Sequence, residues 1–341
     1  MFLEDFTSEQ VSALIGLLVG LLFGVFAQQS QFCLRAACIE FWRKKIGTKF
    51  AIWLLAFSSA LILTQLFIDY GHIDTSDIRQ LTSVGSMSGA IVGGLLFGSG
   101  MILARGCASR LLVLSATGNM RALISGLVVT IVAQASLRGG LSPAREAVSG
   151  VWLVEAHERG FSHLLPSYGG ILLGVLILGL GIYYVVKFEL NKKVVVMSLL
   201  TGGCVALGWL LTSLHAENSF DIVNIKSISF TGPSADTLMG LINSPTIHFS
   251  FDIGLVPGVF LGSLCAALIT KQFKWQQFTQ ETNQGRYLVG ATMMGFGSML
   301  AGGCAVGAGV TGGAILALTA WVALLCMWLS AGFTDWLVDR N

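Results

Sequence analysis

Nine runs of mostly apolar residues, each long enough as a helix to cross a bilayer core of about 30 Å, constrain this chain more than any other feature. They cover residues 11–28, 47–68, 85–104, 119–137, 168–187, 194–214, 250–271, 286–302 and 310–331. Apolar residues make up 54% of the sequence and charged residues 11%, against roughly 25% charged in a soluble domain. Mean hydropathy is +0.76. These values exclude a soluble cytoplasmic enzyme and a disordered chain. The net charge of +2 leaves no basic field for a nucleic acid. The expected fold class is all-α: a polytopic helical membrane protein of about nine spans. Its 42 glycines sit inside the apolar runs, as expected where membrane helices pack closely.

Short loops rich in Lys and Arg stay cytoplasmic. Arg35, Arg43, Lys44, Lys45 and Lys49 fall at 29–49; Arg105, Arg110 and Arg121 at 105–121; Lys187, Lys192 and Lys193 at 187–193; Lys271, Lys274 and Arg286 at 271–286. The loops at 69–84 and 215–249 are acidic instead. The alternation predicts an N-terminus outside and a C-terminus in the cytoplasm. The acidic start MFLEDFTSEQ lacks the basic region of a signal peptide, so the first run is expected to stay as a helix. Residues 151–165 are expected to lie on the outer surface as an amphipathic piece, and 230–238, FTGPSADTL, as a loop. Trp42, Trp152, Trp209 and Trp336 are expected as interface anchors.

Residues 93–108, GGLLFGSGMILARGCA, align without gaps to 290–305, GATMMGFGSMLAGGCA. The shared ending L-A-x-G-C-A carries more weight than the glycine matches. In the predicted topology the two copies point in opposite directions, which makes an inverted-topology repeat. The expected division is a first transmembrane repeat at 1–140, an outer segment and linker helix at 141–193, and a second repeat at 194–341. Segments 105–118 and 303–311 are expected to be re-entrant or broken helix. Inverted-repeat transporters place their substrate at such breaks near the midplane. This makes Cys107 and Cys304, with Gly106, Gly302 and Gly303, candidates for a substrate path.

The seven cysteines include no C-x-x-C pair, which argues against a disulfide framework or a zinc ribbon. Cys204, Cys265 and Cys326 are expected as small buried apolar residues, and Cys38 is left undecided. His72, His157, His163, His215 and His248 fall in expected outer loops without metal-ligand spacing. Glu40 is expected at the cytoplasmic interface or paired with an arginine. No catalytic group, metal site or cofactor is expected.

The stretch AQQSQFCLRAACIEFW at 27–42, with GMILARGCASR at 100–110 and GSMLAGGCAVG at 297–307, resembles the YeeE/YedE membrane proteins, which include bacterial thiosulfate uptake transporters. The resemblance implies an hourglass-shaped bacterial inner-membrane protein with a narrow constriction. It also implies that Cys33, Cys107 and Cys304 pass a small sulfur oxyanion along by thiol hydrogen bonds. The chain departs from the commonest motif at Arg105, where many members have glycine.

A dianion in low dielectric needs fixed donors in place of its water. Helix N-terminal N–H groups and neutral thiols can supply them. Whether those thiols are neutral or ionised is left open. Arg35, Arg105 and Arg110 either form an electropositive vestibule or anchor helix ends. The expected function is thiosulfate uptake by a transporter rather than an enzyme, with a possible cytoplasmic sulfur carrier or sulfurtransferase as partner. The alternatives are transport of another sulfur or selenium compound, a membrane sulfurtransferase or thiol redox relay, and an accessory subunit of a membrane complex.

Overall fold

The computed structural model describes residues 7–161, 166, 168–243, 248–276 and 284–340. In the first half α1 (Ser8–Ser30), α2 (Leu34–Trp42), α3 (Thr48–Asp69), α4 (Arg79–Thr82), α5 (Met87–Leu103), α6 (Ala108–Ala116) and α7 (Met120–Arg138) follow in order. The short α8 (Ser142–Ser149) and α9 (Ala156–Arg159) lead to the long α10 (Gly169–Lys187). The second half holds α11 (Lys192–Asn218), α12 (Thr231–Asn243), α13 (Phe251–Ile269), α14 (Gln284–Leu300), a π-helical segment π1 (Ala305–Gly312) and α15 (Leu318–Val338). A two-residue strand pair joins Gly85–Ser86 to Leu153–Val154. Among the described residues, 9 helical stretches are long and apolar enough to cross a membrane. The chain is thus a polytopic all-α membrane protein.

Lipid offers helices little hydrophobic reason to associate, so close backbone approach must hold them together. Here α1 and α13 run parallel and interlock through two glycine stripes. Gly16, Gly20 and Gly24 on α1 face Gly254, Gly258 and Gly262 on α13. A Cβ on Gly20 would overlap the Leu255 carbonyl, and one on Gly258 would crowd the Leu17 carbonyl.

α5 and α14 pack antiparallel, and their contacts interchange. Gly93 lies against Ala301, and its aligned partner Gly290 against Ala104; Gly93 also meets Gly297, and Gly290 meets Gly100. The wider packing follows the same exchange. α1 on α13 matches α11 on α3, α5 on α15 matches α14 on α7, and α2 on α3 matches α12 on α13. The helix outside this scheme, α10, packs on α3 and presents Leu172, Val175, Leu176, Leu180 and Val186 outward.

Several expectations are corrected. The 29–49 connection contains the helix α2, and the loop expected at 230–238 is the start of α12. Pro233 falls in the first turn of α12, where its missing N–H costs nothing. The span expected at 310–331 begins at Leu318, because π1 occupies the preceding apolar residues, among which Thr311 is the one polar side chain. Within 151–165 the described part is a strand residue pair and a four-residue helix, with Val154 buried; 162–165, including His163, lie outside the described residues.

His215 ends α11 rather than lying in a loop, and its Nε2 sits 3.0 Å from the Ser8 carbonyl. Trp209 is 1% exposed and belongs to the core rather than an interface. Cys265 is exposed, whereas Cys204 and Cys326 are buried. Glu40 is half-buried, and among the described residues no ion pair joins it to an arginine. Its carboxylate accepts from the N–H groups of Gly47, Lys49 and Phe50 and caps α3.

The glycine stripes predict a graded response. Gly258→Val should destabilise the fold by about 1–3 kcal/mol through overpacking. Gly179→Ala, where a Cβ meets nothing within 4 Å, should hold or raise stability. Thermal unfolding in detergent followed by tryptophan fluorescence checks both; equal midpoints would remove the stripe from the account.

Candidate functional site

The three cysteines of the sequence motifs occupy one local construction, built three times. Each of α1, α5 and α14 is followed by a residue in left-handed backbone: Gln31 (φ 55°), Arg105 (φ 54°) and Gly302 (φ 77°). Two residues later comes the cysteine, as the N-cap of a short helix. Cys33 precedes α2, Cys107 precedes α6 and Cys304 precedes π1. All three left-handed residues are exposed, whereas Cys107 is 1% and Cys304 0% exposed and Cys33 is half-buried. The turn therefore opens outward and the thiol sits at its floor.

Gly302 adopts its backbone without strain. Arg105, at the aligned position, carries a side chain in a conformation that costs an L-residue roughly 1–2 kcal/mol.

The N-termini of the short helices meet. The Cys33 and Cys107 side chains are close neighbours, which brings α2 to α6. Ala108, the first residue of α6, lines one cavity with Phe230 and Thr231 at the start of α12. Ser229, just before α12, lies against Gly307 in the first turn of π1. Four helix N-termini therefore form one connected cluster, each carrying unpaired N–H groups and the positive end of a helix dipole.

The cysteine sulfurs are held in place. The Cys107 Sγ lies 3.3 Å from the Ser109 hydroxyl, and the Gly307 N–H donates to the Cys304 Sγ at 3.4 Å. The second contact engages a sulfur lone pair and leaves the Cys304 S–H free to donate.

Positive charge gathers on one side of this cluster. Arg35 and Arg110 are charge neighbours of Cys33, and Arg105 neighbours Arg35. Lys49 donates to the Gln31 side chain at 2.6 Å. Arg35 Nε and Arg110 Nη1 are buried with no hydrogen-bond partner among the described residues.

Farther out, Asp335 and Asp339 at the end of α15 balance the remaining cations. Arg43 holds Asp335 through two 2.8 Å bonds, and Arg286 lies 2.8 Å from Asp339. The bond to Asp335, which is 0% exposed, keeps the Arg43 guanidinium above its ordinary pKa.

Cys33, Cys107, Gly106, Arg35, Arg105 and Arg110 thus group on one side of the cluster. Cys304, Gly302 and Gly303 belong to the turn leading into π1. Among the described residues no hydrogen bond joins Cys304 to the other two cysteines. Cys38, undecided from sequence, is fully buried in α2. Three participants have no motif in the sequence: Gln31 as the third left-handed residue, Lys49, and the N-terminus of α12. The signal available for α12 was Thr-Gly-Pro, which reads as a turn and equally as a helix start with proline in its first turn.

The chain matches the sulphur transport family over residues 29–333 and belongs to it. It is 26% identical to the thiosulfate transporter TsuA of Escherichia coli (strain K12) over 345 aligned positions, covering 95% of this chain and 94% of that protein. It is 25% identical to the thiosulfate transporter TsuA of Spirochaeta thermophila (strain ATCC 700085 / DSM 6578 / Z-1203), covering 96% and 99%.

The left-handed backbone at Arg105 predicts that Arg105→Gly stabilises the fold by about 1 kcal/mol. A rise in the unfolding midpoint checks this, and a fall would mean that the guanidinium contributes more to stability than the turn costs.

Proposed function

We propose that this member of the sulphur transport family takes up thiosulfate across the bacterial inner membrane, along a path lined by Cys33, Cys107 and Cys304. The observation that carries this reading is the repeated construction of left-handed turn, cysteine N-cap and short helix, with the helix N-termini clustered. The names of the two relatives supply the substrate.

Thiosulfate carries two negative charges, and most of its water must be replaced before it crosses low dielectric. The N-terminal N–H groups of α2, α6 and π1 act as the fixed donors, with the glycines at 106, 302 and 303 keeping the approach open. The neutral thiols add soft, weak donors. Weak donation suits passage, because a carrier path must release what it binds.

On this reading the two halves, 1–140 and 194–341, form an inverted-topology repeat with 141–193 as the connecting segment. The exchanged contacts of α5 and α14 support it. Each half contributes half-helices that enter from opposite faces. The N-terminus lies outside and the C-terminus in the cytoplasm, in line with the Lys and Arg distribution. Arg35, Arg105 and Arg110 then form the cytoplasmic vestibule, and their unpartnered nitrogens are places for an anion. Beyond them, the basic surface at Arg43, Lys44 and Lys45 faces a cytoplasmic sulfur carrier or sulfurtransferase.

Purified protein in liposomes should accumulate thiosulfate, and a panel of sulfur and selenium anions ranks its substrates. Cys107→Ala and Cys304→Ala should each abolish uptake while eluting as folded protein. Cells that carry either variant and still grow normally on thiosulfate as sole sulfur source would refute the cysteine path. A reporter enzyme fused to the C-terminus should be active only when it is a cytoplasmic one; activity from an external reporter would reverse the orientation.

A further inference from the structure

The fourth helix N-terminus of the cluster, that of α12, has no cysteine. Its N-cap is Phe230, whose carbonyl accepts from the Ser234 N–H at 2.9 Å and whose side chain has no group to offer the free N–H donors. The first turn reads Thr231, Gly232, Pro233. The Thr231 and Gly232 N–H groups have no acceptor among the described residues. Thr231 is 1% exposed, and its Oγ1 is buried without any hydrogen-bond partner.

A buried hydroxyl with no partner is costly. Threonine is not needed there for packing alone, because valine has the same shape. Thr231 lines a cavity of about 190 Å³, shared with Ala108 at the α6 N-terminus beside Cys107. A Cβ on Gly232 would meet nothing within 4 Å, so free space also borders the helix start. Most of the remaining lining is apolar, Leu111 and Val129 among it. In such surroundings each donor is electrostatically stronger than in water.

We infer that Thr231, with the free N–H groups of the α12 N-terminus, is a fourth donor station for the transported anion. It takes an oxygen of the oxyanion by hydroxyl donation where the other three short helices present a thiol. This rests on the thiosulfate reading above and adds to it a group that the cysteine motifs do not include.

The test is uptake of radiolabelled thiosulfate into liposomes by wild type, Thr231→Val and Thr231→Ser, with thiosulfate binding to the purified proteins measured alongside. Because the hydroxyl has no partner in the protein, Thr231→Val should fold at least as well as wild type. Loss of one hydrogen bond to a charged ligand predicts uptake and affinity about tenfold lower for the valine variant, with the serine variant close to wild type.

Valine transport and affinity equal to wild type overturn this inference alone. A serine variant as impaired as the valine variant assigns Thr231 to packing and overturns it as well. Wild-type protein that neither binds nor carries thiosulfate overturns the substrate reading and this one together. If Thr231→Val does not fold, Gly232→Ala serves instead. It should fold normally and lower uptake by narrowing the space at the α12 start, and unimpaired uptake by it overturns the inference.

Discussion

An α-helix that starts inside a protein leaves up to four N–H groups without intrahelical acceptors and concentrates a partial positive charge at that end. Water normally satisfies those groups. Burying one such end is costly, and burying several together compounds the cost. This protein starts α2, α6, α12 and π1 within one cluster. The fold tolerates it because glycine stripes such as that between α1 and α13 lock the long helices at close range. The short helices are therefore held by their neighbours and not by their own caps.

The capping residues make sense against that background. Serine, asparagine and aspartate are the strong N-caps, because an oxygen accepts well from the N2 or N3 N–H. Aspartate would also place a fixed negative charge on the path proposed for the anion. Cysteine is a poor cap: Cys33 and Cys107 make no capping bond, and Cys304 makes only a 3.4 Å contact to Gly307. A weak cap leaves the donors available. The same residue that fails to stabilise the helix start is thus suited, on the proposed path, to lend those donors to a passing guest.

The long spans were legible because a continuous apolar run of bilayer length has few alternatives to a membrane helix. The repeat around Cys107 and Cys304 was legible as well, since glycine and cysteine spacing survives in both copies. The short helices were not. α2 lies in a segment whose charges, Arg35 to Lys45, suggest a loop, and α12 begins with Thr-Gly-Pro, where turn and helix-start chemistry coincide. π1 lies inside an apolar, glycine-rich stretch whose one polar residue is Thr311, so the apolar run starts at 310 although the helix starts at Leu318. Cys33 could be singled out from its own motif only by family resemblance. Its turn uses Gln31 and not glycine, and a left-handed glutamine has no sequence signature.

The exchange of contacts between the halves extends to backbone conformation but not to charge, and the difference gives the proposed path a direction. Arg105 and Gly302 occupy aligned positions and share left-handed backbone. Only the first carries a cation, and it does so at a conformational cost that glycine avoids. Gln31 holds Lys49 at the matching turn of α1, and Arg35 and Arg110 stand beside Cys33. The turn before Cys304 has open space next to Gly302 in place of any side chain. Two half-sites of like geometry thus differ in potential. An anion on the proposed path moves from thiols and backbone donors toward fixed guanidinium groups, whose attraction is moderated by Asp339 near Arg35 and Arg286. On the proposed inverted repeat, the backbone strain at Arg105 is what it costs to make two like turns electrically unlike.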